Sequence, residues 1–134
     1  MPGHVIRRLN QMSTQVFASH MQQAGIDLTP VQFAALDAIR AHPGLDQAGI
    51  ASGIAYDRAT IGGVIERLLQ KGYIARMVSD RDRRARVITL TPEGEEAYLR
   101  ILPIVTSLQD DILAGLTKDE RQVFMGLARK VLSV

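Results

Sequence analysis

Two short helical segments, separated by only about four residues, most constrain what this chain can fold into. Residues 46–53 form the first segment. Residues 58–71 form the second, with Asp57 at its start and Gly72 at its end. Its apolar side chains recur at helical spacing, at Ile61, Val64, Ile65, Leu68 and Leu69. Two helices joined so tightly predict a helix-turn-helix.

Two β-branched segments follow at once, at residues 73–78 and 86–90, and predict a pair of strands. The stretch that joins them begins "SDRDRR". With the first residue of the second strand, the tip holds four arginines within six residues, namely Arg81, Arg83, Arg84 and Arg86. Such a cluster repels itself unless Asp80 and Asp82 offset the charge. A solvated hairpin tip needs no such excess, so the arginines are predicted to face an anion.

Longer helices flank this central part. The first is predicted over about residues 4–24 and the second begins at a Thr29-Pro30 step whose capping box Gln32 completes. Another runs from Thr91 to about residue 114, with a kink predicted at Pro103. The last begins at a second capping box, and its apolar residues are predicted to point inward: Val123, Phe124, Leu127 and Val131. These apolar stripes exceed what a small domain covers, which predicts a second copy of the chain as partner.

Composition excludes several functional classes. The chain has no cysteine and only three scattered histidines, so neither disulfides nor a metal site is predicted. No catalytic constellation and no glycine-rich phosphate loop is present, so we expect no enzyme activity and no cofactor. No apolar run suits a membrane span or a signal peptide, which predicts a cytoplasmic protein without membrane contact.

Charge is distributed unevenly along the chain. The net charge is only +2, yet residues 40–90 hold nine lysines and arginines against five acids. A basic middle between more acidic flanks is typical of a face that binds a polyanion.

Taken in order, these elements predict a winged helix-turn-helix fold, mainly α-helical with one small β-hairpin. We expect one domain over residues 1–134, with residues 29–91 as the DNA-binding lobe and residues 1–28 and 92–134 as dimerisation helices. In such a fold one helix enters the major groove, and the hairpin tip reaches the neighbouring backbone or minor groove of double-stranded DNA.

The stretch "DRATIGGVIERLLQKGYIARMVSDRDRRARVITLTPEG", residues 57–94, resembles the MarR-type transcriptional regulators. It is similar to that family's recognition helix, Leu-x-x-Lys-Gly turn, Asp-Arg-Asp-Arg-Arg wing and closing Leu-Thr-x-x-Gly. The opening "PGHVIRRLNQ" is similar to a subset that responds to small aromatic carboxylic acids. The resemblance implies a homodimeric repressor of an inverted-repeat operator, released by such an effector. Two alternatives stay open: a DNA-binding regulator without an effector, and a winged helix used for protein contact.

On the wing, the resemblance implies that Arg84 inserts into the minor groove and that Asp82 supports it. An ion pair within the wing is the alternative role. Arg81, Arg83 and Arg86 are expected to contact phosphates or to raise the local positive potential.

On the second helix of the motif, apolar spacing places one set of residues away from the core: Arg58, Ala59, Thr60, Gly62, Gly63, Glu66 and Arg67. All but Glu66 are predicted to contact DNA. Thr60 has a capping role as its alternative, and Arg67 has pairing with a neighbouring helix. Many family members carry an arginine where Gly63 stands, so the two glycines remove a base-reading side chain while allowing close approach of the backbone.

Basic residues of the first helix are the candidates for an effector site. A carboxylate ligand favours an arginine fork, which indicates Arg8, with His4 and His20 as further candidates. Met12 and Phe17 are candidate lining residues. The alternatives are a solvated basic helix end for the polar residues and core or dimer packing for Met12 and Phe17.

Overall fold

The computed structural model describes residues 1–54, 58–78 and 86–133, with the Arg58 side chain excepted. The helices of these residues are α1 (Pro2–Gln23), α2 (Pro30–Ala41), α3 (Gln47–Gly53), α4 (Arg58–Gln70), α5 (Pro92–Ile112) and α6 (Lys118–Leu132). The strands β1 (Ile74–Val78) and β2 (Arg86–Leu90) lie between α4 and α5. This order confirms the predicted fold class, a mainly α-helical winged helix-turn-helix with one hairpin. The predicted cap Asp57 lies outside the described residues.

The helix starts form as the sequence predicts, because local side chains satisfy the first backbone N–H groups. Thr29 and Gln32 form a reciprocal capping box at α2, with both hydrogen bonds at 3.2 Å. Thr117 and Glu120 repeat the device at α6, where the backbone N–H of Thr117 lowers the pKa of the Glu120 carboxyl. The Thr91 hydroxyl caps α5. Each cap contributes about 1 kcal/mol to stability.

Two glycines end helices in the left-handed conformation that favours glycine. Gly25 follows α1 with φ +70° and Gly72 follows α4 with φ +76°. The next residue's N–H then reaches back to a free carbonyl, from Ile26 to Met21 at 2.9 Å after α1 and from Tyr73 to Leu68 at 3.1 Å after α4. Both stops agree with the sequence prediction.

The hairpin is antiparallel and attaches to the helix-turn-helix through backbone bonds. Its register pairs Ile74 with Leu90 at the open end. The N–H of Ile88 donates to the Leu45 carbonyl at 2.9 Å, and the N–H of Gly44 donates to the Ile88 carbonyl at 3.2 Å. The loop after α2 therefore continues the sheet for one bridge and holds β2 against the helices.

One apolar core joins every element except α6. Helix α4 supplies its whole inner face, β2 supplies Ile88, and α1 and α5 close the core from the other side. The large side chains that are fully buried are Met21, Leu36, Ile39, Ile50, Ile61, Ile65, Leu68, Ile88, Ile101 and Leu108. Burial of each contributes roughly 1.5–3 kcal/mol, which fixes how α4 is rotated about its axis.

Helix α6 differs from its prediction. The expectation that its apolar residues point inward is wrong within the single chain, where Val123, Leu127 and Val131 are 61%, 59% and 79% exposed. Phe124 is half-buried, and no residue of α6 is buried. The physical reason is that helical spacing shows where an apolar stripe lies, but not whether the same chain covers it.

Within the described residues, no helix is both long and apolar enough to cross a membrane. No group of three histidine or acidic side chains that suits a metal ion lies together in that part of the chain. Pro103 lies inside α5 as expected, and the kink at that residue stays a prediction.

Gly94, in the first turn of α5, provides a test of packing. It is buried, and a Cβ there would lie 2.8 Å from the carbonyl carbon of Tyr73, which is rigid backbone. We expect Gly94→Ala to lower the free energy of unfolding by about 3 kcal/mol in urea denaturation, because the backbone at the start of the hairpin and α5 must move apart.

Gly126 is the matched control for Gly94. It lies in α6 with open space around its Cβ position, so Gly126→Ala should raise stability by about 0.5–1 kcal/mol. Equal effects of the two alanines would show that backbone crowding at Gly94 is not what requires glycine.

Candidate nucleic-acid interface

The outer face of α4 is the centre of the candidate interface. Its inner residues are buried, Leu69 only partly, and this leaves Ala59, Thr60, Gly63, Glu66 and Arg67 exposed, as the spacing predicts. Gly62 is half-buried. For Arg58 the structure describes only the helical backbone. The candidates other than Arg58 therefore lie together along one face, while their contacts with DNA stay predictions.

The fold itself does not require the two glycines of α4. A Cβ at Gly62 would make ordinary contact, 3.5 Å from Nε2 of Gln47 in α3. A Cβ at Gly63 would meet nothing within 4 Å. Two glycines within a helix each cost on the order of 1 kcal/mol relative to alanine. Packing among the residues that the structure describes offers no compensation, which is consistent with a need for close approach from outside.

The wing is described only at its base. Arg81, Asp82, Arg83 and Arg84 lie outside the described residues. Arg86 is exposed at the first position of β2. The predicted contacts of these five residues therefore stay predictions.

Arg76 of β1 belongs to the same surface, and the sequence analysis missed it. Its Nη2 donates to Oε1 of Glu66 at 2.7 Å, joining the wing to α4. Glu66 is the only acid of α4, so the pair neutralises the one charge that would repel phosphates. No local pattern connects residues on a strand and a helix, so only the tertiary structure reveals the pair.

Lys71 holds the end of α4 against the segment between α1 and α2. Its ammonium donates to the backbone carbonyl of Asp27 and lies 3.4 Å from the carboxylate of that residue. Lys71 is therefore engaged within the protein. Arg67, one turn earlier, has no carboxylate partner within the described part of the chain, which favours its predicted role at a phosphate over pairing with a helix.

Five side chains join α2 to α5, and we call them the α2–α5 clasp: Phe33, Asp37, Arg40, Glu95 and Tyr98. The Tyr98 hydroxyl donates to Asp37 at 2.6 Å, and its ring stacks on Phe33 with centroids 5.5 Å apart. The Arg40 guanidinium lies 4.8 Å from the Tyr98 ring centroid, and its Nε–H lies 3.0 and 3.1 Å from the two Glu95 oxygens. The hydrogen bond to Asp37, with burial, raises the pKa of Tyr98, and Glu95 raises the pKa of Arg40.

The effector candidates lie along α1. His4, Arg8 and Met12 border a shallow, open groove along α1, and all of its lining residues, from His4 to Gln15, belong to that helix. Met12 also borders an adjoining depression of about 280 Å³ with His20. The structure thus brings four of the five candidates to one continuous surface. Phe17 is buried in the core, where its packing is the alternative role stated above.

The polar ends of this groove are held by neighbours. Nε2 of His20 donates to Oδ2 of Asp111 in α5 at 2.7 Å, and Arg7 donates to Nδ1 of His4 at 3.2 Å. The adjacent Asp110 pairs with Arg121 at 3.3 Å. Both carboxylates are exposed and still bridge between helices, Asp111 to α1 and Asp110 to α6.

The comparisons with known proteins agree with this geometry. The sequence model of the MarR family matches residues 28–85. The chain is 31% identical to the transcriptional regulator HosA of Escherichia coli over 130 residues, covering 97% of this chain and 93% of HosA. It is 30% identical to the transcriptional repressor NicR of Pseudomonas putida, covering 97% of this chain and 81% of NicR.

Among solved structures, the chain is similar to BpsR of Bordetella bronchiseptica, whose DNA binding is regulated by 6-hydroxynicotinic acid. The TM-score is 0.91 at 30% identity, covering 100% of this chain and 94% of that one. The likeness therefore extends over the flanking helices as well as the helix-turn-helix.

A substitution at Gly63 should change protein stability and DNA affinity in opposite directions. Because its Cβ position is open, Gly63→Ala should raise the free energy of unfolding by about 0.5–1 kcal/mol. The same methyl would obstruct a closely approaching duplex, so we expect weaker binding in a fluorescence anisotropy titration. Unchanged or tighter DNA binding by the stabilised variant would contradict close approach at this residue.

Proposed function

The chain belongs to the MarR family of transcriptional regulators, and from that premise we propose that it is a homodimeric repressor of an inverted-repeat operator, released by a small aromatic carboxylic acid. The DNA-binding part of this proposal rests on one observation. Helix α4 turns an exposed, glycine-containing face outward, and its only acid is neutralised by Arg76 at the base of an arginine-rich wing. This arrangement presents backbone and positive charge to phosphates.

The homodimer is supported by apolar surface on α1 and α6. Ile6 and Leu9 of α1 face Phe124, Leu127 and Val131 of α6 across a groove of about 350 Å³ that is lined only by apolar side chains. Solvent exposure of so much apolar surface is unfavourable, and a second copy would cover it. A twofold dimer places two recognition helices roughly 34–36 Å apart, one DNA turn, and so reads an inverted repeat.

The effector part rests on the groove along α1. Arg8 and His4 offer donors to a carboxylate at one end, and Met12 offers an apolar contact to an aromatic ring. The similarity to BpsR supports this chemistry. Release would be a population shift, in which the effector prefers a dimer whose recognition helices do not match the operator spacing. A coupling of about 1–3 kcal/mol changes DNA affinity roughly 5–150-fold.

Arg84 tests the DNA contact of the wing. We expect Arg84→Ala to weaken binding to the operator by roughly 1–3 kcal/mol per half-site and to reduce the dependence of affinity on salt, because a cation is lost at the duplex. Anisotropy titrations at several salt concentrations measure both. Arg100→Ala, which removes an exposed arginine of α5, is the control and should bind as the wild type does.

If Arg84→Ala binds duplex DNA with unchanged affinity and salt dependence, the wing does not serve as proposed. The alternative of a winged helix used for protein contact then gains support.

Arg8 tests the effector site. We expect isothermal calorimetry with a panel of hydroxylated benzoic and nicotinic acids to show binding, and Arg8→Gln to weaken that binding at least tenfold through loss of a charged hydrogen bond. Arg8→Gln should retain operator binding, while Arg100→Gln should retain both. Absence of heat across the panel would favour a regulator that works without an effector.

A further inference from the structure

The α2–α5 clasp is more polar than the fold requires. Tyr98 is 4% exposed and lies beside the apolar core, where a phenylalanine would bury nearly the same surface. Its hydroxyl must instead be satisfied by Asp37, and a second carboxylate, Glu95, fixes the arginine that contacts the ring. Burial of apolar surface is non-directional, whereas hydrogen bonds demand defined distances and angles. The clasp therefore fixes the relative orientation of α2 and α5, two helices that already pack together.

The contacts of the clasp converge on one ring. Phe33, Asp37 and Arg40 lie at positions i, i+4 and i+7 of α2, which is one face of that helix. All three contact Tyr98 of α5. Arg40 also donates hydrogen bonds to Glu95, which lies one turn before Tyr98 on α5. Sliding or rotation of α2 along α5 would break several of these contacts at once.

The orientation of α2 determines the orientation of α4, the recognition helix of the proposed dimer. Leu36 and Ile39 of α2 are fully buried in the core that also holds Ile61 and Ile65 of α4. Because interiors are close-packed, α2 and α4 move together when the orientation of α2 relative to α5 changes. In a dimer joined through the flanking helices, the angle at the α2–α5 contact then determines the separation of the two α4 helices.

We propose that Asp37, Arg40, Glu95 and Tyr98 are positioning residues that set the distance between the two recognition helices, and with it the half-site spacing that the protein accepts. This inference rests on the proposed homodimer and its inverted-repeat operator. It assigns specificity to residues that touch neither DNA nor effector.

The first experiment measures the distance directly. Because the chain has no cysteine, Gly63→Cys gives a single spin-labelling site per protomer on the exposed face of α4. Pulsed dipolar spectroscopy without DNA should give one narrow distance distribution between protomers. Adding Tyr98→Phe, which removes only the hydroxyl, should broaden or displace that distribution.

The second experiment measures spacing preference. A duplex selected in vitro by the wild type is compared with versions whose centre is lengthened or shortened by one or two base pairs. Tyr98→Phe loses a charge-assisted hydrogen bond. It should therefore reduce the ratio of the affinity for the preferred spacing to the affinity for an altered spacing on the order of tenfold. Arg40→Lys keeps the charge but not the planar stacking, so it should behave as Tyr98→Phe does.

Controls separate positioning from general destabilisation. Arg100→Gln removes an exposed positive charge from the same helix as Tyr98 and should leave both measurements unchanged. Melting temperatures are recorded for every variant. Equal weakening of Tyr98→Phe at all spacings, with a lower melting temperature and an unchanged distance distribution, would overturn the proposal and leave the clasp a purely structural feature.

Two other outcomes also decide the matter, and they are distinguishable. If the wild type shows a narrow distance and a sharp spacing preference and Tyr98→Phe shows the same, the inference is wrong while the proposed function stands. If the labelled protein with Tyr98 intact gives no distance between protomers, or the unlabelled wild type binds no duplex, the proposed function fails and the inference fails with it.

Discussion

The burial of the inner face of α4 is the constraint on which the rest of the structure depends. Ile61, Ile65 and Leu68 are fully buried, and α4 packs against α2, α3 and β1, so α4 cannot rotate without exposing several large side chains. At about 25 cal/mol per Å² of apolar surface, such a rotation is prohibitive. The outward direction of Gly63 and Arg67 follows from this packing, as does the position of Arg76 beside Glu66.

Features that depend on neighbouring residues could be predicted from the sequence, and this covers most of the fold. Caps at Thr29, Thr91 and Thr117 and the stop at Gly72 act within one helical turn, so a short motif carries the whole signal. The winged order of the elements followed from these boundaries. Whether the chain itself covers the apolar stripe of α6 could not be predicted, because helical spacing shows where the stripe lies but not which surface packs on it.

The site was predictable to the extent that helical periodicity defines a face. That rule placed Ala59, Gly63 and Arg67 correctly on the outside of α4. The Arg76–Glu66 pair and the contact of Asp37 with Tyr98 join residues that lie 10 and 61 positions apart. Periodicity cannot indicate which charges of two different elements meet, since that depends on how the elements cross in space.

Helix α5 physically connects the two regions that the proposals concern. Asp111 holds His20 beside the groove on α1, while Glu95 and Tyr98 hold α2 near the other end of the same helix. Sixteen residues of helix separate Asp111 from Glu95, about 24 Å at 1.5 Å per residue. A ligand in the groove therefore need not touch the DNA-binding lobe. In the proposed dimer, a tilt of α5 against α1 would reach α2 through the directional contacts of Glu95 and Tyr98.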